Sequence, residues 1–129
     1  VSPESLRMPS AIVEFVSGHG IQVIETEDLS EVMSRSDVIY WTRIQEERFE
    51  DRSEYEAIKD GFIIRPDTLA QARPDTILMH PLPRKHEMGT PADHDALDAD
   101  PRSVYFQQME NGMFVRMTLL AKALGGLWV

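Results

Sequence analysis

The sequence predicts an α/β domain, a parallel sheet flanked by helices on both faces in a Rossmann-like arrangement. Three observations carry that expectation. Short apolar runs recur at residues 21–24, 37–41, 62–64 and 76–79. Segments with apolar residues at helical spacing lie between them. Hydrophobic residues make up 42% and charged residues 27% of the 129-residue chain, which fits one domain around one core.

Each element has its own warrant. Residues 10–19 set Ala11, Ile12, Phe15 and Val16 at helical spacing, with Pro9 suited to the first turn and Gly18 or Gly20 to the end. Residues 21–24, IQVI, alternate like a short strand. Thr26 or Asp28 suits the cap of a second helix, with Leu29, Val32 and Met33 facing inward. Residues 37–41, DVIYW, read as a buried strand. The charged segment 46–59 contains a helix around Tyr55 and Ile58, and 62–64 is another strand candidate. Pro66 opens a small helix through Leu69 and Ala72, and 76–79 is a further strand. The amphipathic stretch 112–124 forms the closing helix, with Asn111-Gly112 as a turn or cap before it. Met109, Met113 and Met117, four residues apart, read as core packing. Arg116 is expected to pair with an acidic segment.

Composition excludes several functions. The net charge is −9, which argues against a general nucleic-acid surface. No apolar run approaches the ~18–20 residues needed to cross a membrane. There is no cysteine, so thiolate metal sites and disulfides are excluded. The opening VSPESLRMPS lacks a secretory-signal pattern, and a reducing, cytoplasmic setting is compatible with these features. His19, His86 and His94 show no metal-site spacing with carboxylates, and no metal or cofactor is expected.

In parallel α/β folds ligands sit beyond the carboxyl ends of the strands. Two segments meet that rule, TRIQ at 42–45 and HPLPR at 80–84. Arg43 suits a carboxylate or phosphate held in a bidentate fork, or a surface ion pair with Glu46 or Glu47. Gln45 adds a neutral donor and acceptor. The mixed-sign run beyond it reads as a solvated face. In MHPLPRK at 79–85, the prolines push His80 and Leu82 toward extended backbone and present the Pro81 and Leu82 carbonyls as acceptors. An X-Pro bond there is a candidate for the cis form. His80 has three open roles: general base, proton donor or structural hydrogen-bonder.

These segments carry a resemblance. TRIQEERF at 42–49, MHPLPR at 79–84 and YFQQMENGMFVRMTLL at 105–120, in that order, closely resemble aspartate carbamoyltransferase, and SPESLRMP at 2–9 looks like the opening of that family's aspartate-binding domain. The resemblance covers essentially the whole chain. It implies transfer of a carbamoyl group from carbamoyl phosphate to L-aspartate in pyrimidine synthesis, without metal or covalent intermediate. It also implies that residues 1–129 are the aspartate-binding domain, with the carbamoyl phosphate-binding domain absent from this chain. The terminal LGGLWV then falls near the end of the family's closing helix.

Carried over by position, Arg43 and Gln45 bind aspartate. Pro81 and Leu82 offer carbonyls to the carbamoyl amino group, and Leu82 and Pro83 line the carbamoyl phosphate site across a cis peptide. His80 and Arg84 support the loop. Lys85-His86 departs from the family's pattern of an apolar then an acidic residue. The resemblance further implies a homotrimeric parent, in some relatives part of a multifunctional polypeptide, and a chain inactive without the first domain. Two rivals stay open. An ornithine-type carbamoyltransferase typically carries His-Cys-Leu-Pro where this chain has His-Pro-Leu-Pro. The other is a non-catalytic binding or assembly domain.

Overall fold

The computed structural model describes residues 1–125. Two parallel strands organise it, β1 (Val38–Tyr40) and β2 (Ile77–Met79), with Ile39 opposite Leu78 and Tyr40 opposite Met79. Successive strand residues face opposite ways, so Ile39 and Leu78 enter the core while Val38 and Tyr40 stay exposed. Ile77 and Met79 bond to the β1 side, whereas the Leu78 N–H and C=O bond to Arg102 and Val104 at 2.8 and 2.9 Å. A parallel bridge from Leu78 to Ser103 therefore sits on the opposite edge of β2. The class is α/β, as the apolar runs predict.

Six helices accompany the strands: α1 (Ser10–Gly18), α2 (Ser30–Met33), α3 (Arg52–Ile58), α4 (Pro66–Leu69), α5 (Pro91–Ala99) and α6 (Tyr105–Ala123). Their starts follow from local chemistry. Before α2, the Asp28 carboxylate accepts the Ser30 N–H at 2.8 Å. At α3, Asp51 accepts the Ser53 N–H at 2.8 Å. Pro66 and Pro91 stand in first turns, where a missing N–H costs nothing. One core gathers Met33, Ile39, Trp41, Ile64, Leu69, Ala72, Leu78, Met88, Leu97 and Tyr105. Each of α2, α4, α5 and α6 thus contributes a side chain to the strands' inner face.

Several expectations are corrected. Residues 21–24 and 62–64 form no strand. Ile21 and Ile24 are exposed, while Ile64 is buried and its N–H donates to the Glu87 carbonyl at 2.9 Å, outside any ladder. The closing helix begins at Tyr105, so Asn111 and Gly112 are interior helical residues, not a cap. Met109, Met113 and Met117 are 53%, 48% and 59% exposed, so they are not core. Helix α5 has no counterpart in the sequence reading. No ion pair to Arg116 occurs among the described residues. The terminal GLWV, residues 126–129, lies outside the described residues. Among those described, no helix is long and apolar enough to cross a membrane.

Candidate functional site

Parallel pairing sends both strands out of the sheet at the same edge. After Tyr40, the Trp41 N–H donates to the Met79 carbonyl at 2.9 Å, and the indole Nε1–H donates to the Glu87 carbonyl at 3.1 Å. This buried indole anchors the start of the segment 42–45. After Met79, the His80 N–H donates to Gln108 Oε1 at 3.0 Å, anchoring the start of the second segment. Between them opens a cleft of about 820 Å³. Arg43, Gln45, Arg48, His80, Pro81, Leu82 and Pro83 all line it, with apolar walls from Leu29, Met33 and Phe62.

The structure thus brings six of the seven sequence-named residues to one cleft. Arg84 is the exception. It turns away to Asp98, donating from Nη2 to Oδ2 at 2.7 Å, and its guanidinium lies 6.0 Å from the Tyr105 ring centroid. Tyr105 also donates its hydroxyl to Asp98, so one carboxylate ties the loop to α5 and α6. Burial, then the bond to Asp98, pushes the Tyr105 phenol up to about 12.

Arg43 already holds a carboxylate. Its Nη1 donates to Glu47 Oε2 at 3.0 Å and its Nη2 to Oε1, a two-point fork one helical turn away. The bond from Arg43, above all, takes Glu47 down to about 2. The ion-pair reading of Arg43 is thus realised, with Glu47 as the partner. The Gln45 side chain makes no hydrogen bond among the described residues. Arg48 lines the cleft and has no ion pair among them.

In the second loop, Leu82 sits at φ 44°, and the Leu82-Pro83 peptide is cis. Neither the Pro81 nor the Leu82 carbonyl accepts a hydrogen bond from a described residue. His80 is 2% exposed. Its Nδ1 accepts the Leu82 N–H at 2.9 Å, and its Nε2 lies 3.1 Å from Glu87 Oε1. That second approach is bent from the ring N–H direction and falls short of a full hydrogen bond. Both side chains are buried, so water does not come between them. Among the three roles open for His80, this geometry favours structural hydrogen bonding.

Sequence reasoning missed Glu87 and Gln108. Glu87 is 2% exposed, and both its carboxylate oxygens accept the Lys85 N–H, at 2.9 and 3.0 Å. Burial would raise its pKa, but the contact from His80 and the Lys85 N–H bring it down to about 2. Gln108 stands on α6, where its carboxamide bonds the His80 N–H and the Tyr40 hydroxyl. A lone glutamate in a charged stretch and a glutamine in a helix carry no local signal. Only the fold reveals them.

A strand-end cleft that gathers a guanidinium, a carboxamide and two carbonyls with no hydrogen-bond donor among the described residues has the chemistry to take a small anionic ligand bearing N–H groups. This defines an α/β ligand-binding domain. Residues 1–123 match the family described as aspartate/ornithine carbamoyltransferase, Asp/Orn binding domain, and the chain belongs to that family. It is 46% identical over 125 residues to the multifunctional protein pyr1-3 of Dictyostelium discoideum, covering 97% of this chain and 5% of that protein. It is 41% identical over 125 residues to the aspartate carbamoyltransferase catalytic subunit of Clostridium novyi, covering 97% of this chain and 39% of the subunit. Among solved structures, Trypanosoma cruzi aspartate transcarbamoylase in complex with carbamoyl phosphate superposes with a TM-score of 0.76 at 40% identity. That match covers 93% of this chain and 38% of the other.

Proposed function

We propose that this chain is the aspartate-binding part of an aspartate carbamoyltransferase. The reaction moves the carbamoyl group of carbamoyl phosphate to the amino group of L-aspartate, giving N-carbamoyl-L-aspartate and phosphate in de novo pyrimidine biosynthesis. One observation carries the reading: Arg43 and Gln45 share a cleft with a turn whose Pro81 and Leu82 carbonyls accept no hydrogen bond from a described residue.

In this account Arg43 releases Glu47 and grips an aspartate carboxylate, and Gln45 bonds the same substrate. The Pro81 and Leu82 carbonyls accept the carbamoyl N–H groups, with Leu82 and Pro83 as the wall. The aspartate nitrogen attacks the carbamoyl carbon, the C–O bond to phosphate breaks, and the nitrogen loses a proton. Negative charge grows on the carbonyl oxygen and on departing phosphate. Fixed donors and cations stabilise that charge while both substrates are held in attack geometry.

The guanidinium groups lining the cleft are those of Arg43 and Arg48, too few for a dicarboxylate and a phosphate together. The chain spans 39% of the Clostridium novyi subunit, and we assign residues 1–129 to the aspartate domain alone. A carbamoyl phosphate-binding domain, on the same or another polypeptide, supplies the remaining cations. The parent enzyme is a cytoplasmic homotrimer in this reading, and relatives such as the Dictyostelium protein fit a place in a multifunctional polypeptide. His80 and Arg84 shape the loop.

The test joins residues 1–129 to the carbamoyl phosphate-binding domain of the Clostridium novyi subunit. Titration of this hybrid with N-(phosphonacetyl)-L-aspartate, a ligand of the Trypanosoma cruzi enzyme, is expected to saturate. Saturation that survives loss of Arg43, or preference for an ornithine-based mimic, overturns the assignment.

A further inference from the structure

We infer that Glu87 is a positioning residue: acting through the buried His80 ring, it aims the Pro81 carbonyl away from the interior. What that carbonyl receives rests on the functional reading above; the aiming rests on geometry alone.

A buried carboxylate is costly to keep charged unless several donors surround it. Glu87 accepts the Lys85 N–H at 2.9 and 3.0 Å, and His80 Nε2 stands 3.1 Å away as a polar neighbour short of a full hydrogen bond. Its backbone carbonyl also accepts the Trp41 indole N–H and the Ile64 N–H. Glu87 is thus clamped to the start of the other cleft segment.

His80 passes this constraint on. Its Nδ1 accepts the Leu82 N–H at 2.9 Å, and a ring nitrogen that accepts carries no proton. The ring proton therefore sits on Nε2, facing the Glu87 carboxylate. With the opposite tautomer, two N–H groups would meet at Leu82 and a lone pair would meet a carboxylate at Glu87. The negative charge selects the tautomer that serves Leu82.

Leu82 needs that service. Its φ of 44° is left-handed, which is unfavourable for a non-glycine residue. The bond to His80 opposes that cost and fixes one peptide plane. The Leu82 N–H and the Pro81 C=O belong to the same planar trans unit and point in opposite directions. Anchoring the N–H on the buried ring therefore turns the Pro81 carbonyl outward, and Pro81 lines the cleft. Gln108 holds the His80 backbone N–H, so the ring's own origin is fixed as well.

Two measurements test this. The first is the pattern of ¹⁵N shifts of the His80 ring in the 129-residue chain, which needs neither a variant nor activity. A protonated Nε2 and a bare Nδ1 are expected; a protonated Nδ1 overturns the proposal. The second uses the hybrid enzyme. Glu87→Gln is expected to lower kcat by about 10- to 100-fold with the aspartate KM within about twofold, because the carbamoyl group, not aspartate, loses its alignment. His80→Asn keeps an acceptor near the Nδ1 position that has no tautomer to select. In that background Glu87→Gln is expected to cost almost nothing further. Equal losses in both backgrounds would make Glu87 a packing residue only. A wild-type hybrid without transferase activity would refute the functional reading, and the ring shifts would still decide the role of Glu87.

Discussion

Arg43 and Glu87 are two charged residues with opposite legibility. Arg43 follows a strand directly, and strand ends are where ligands gather, so its position announced it. It pairs with Glu47, so in the proposed reaction an aspartate carboxylate would exchange one fork for another. In the hybrid enzyme, Arg43→Ala is expected to raise the half-saturating aspartate concentration by about 10- to 100-fold, since a charge-assisted bidentate pair is lost. An unchanged saturation curve contradicts its role. Glu87 gave no such sign, because its importance comes from burial. It also accounts for Lys85, which pattern alone leaves unread. Position 85 contributes its backbone N–H to Glu87 while its side chain is exposed, so its identity is weakly constrained. The carboxyl of Glu87 is lowered from 4.5 to about 2, so its stabilising effect is full above the unfolded value and lost as pH falls toward about 2. Urea unfolding is therefore expected to weaken between about pH 4.5 and 2, and Glu87→Gln to flatten that limb. An acid limb of unchanged slope in the variant contradicts the assignment.

At the scale of elements, helical spacing located α1, α3 and the body of α6, and short apolar runs located β1 and β2. Helix α5 escaped because it buries only Leu97, so its periodic signal is faint. Its start is nevertheless written in TPAD: Thr90 Oγ1 accepts the Asp93 N–H at 3.3 Å, and the Asp93 carboxylate accepts the Thr90 N–H at 2.8 Å. Thr90→Ala is expected to cost about 1 kcal/mol, read as a lower urea midpoint at unchanged slope. No shift in that midpoint would show that the box is not holding the helix. In α6 the four-residue spacing of Met109, Met113 and Met117 predicts core packing, yet all three are exposed. Periodicity marks a surface that favours burial; it does not say what covers it. The short runs 21–24 and 62–64 failed for a related reason. A three- or four-residue apolar run suits a strand or a buried coil equally, and Ile64 took the second option, bonding Glu87 instead of a neighbouring strand.

For the whole molecule, the alternation of apolar runs and helical segments predicts the class, and the strand-end rule predicts the two segments that meet at the cleft. What stayed hidden were the long-range contacts, Trp41 to Glu87 and His80 to Gln108, which span 46 and 28 residues. The same contacts tie the two cleft segments into one site. The central claim is that this site is the aspartate half of a transferase. The most direct measurement is product formation from carbamoyl phosphate by the 129-residue chain alone and by the hybrid carrying a carbamoyl phosphate-binding domain. The account predicts no product from the chain alone, and carbamoyl aspartate but not carbamoyl ornithine from the hybrid. Carbamoyl aspartate made by the chain alone, or carbamoyl ornithine made by the hybrid, would contradict it.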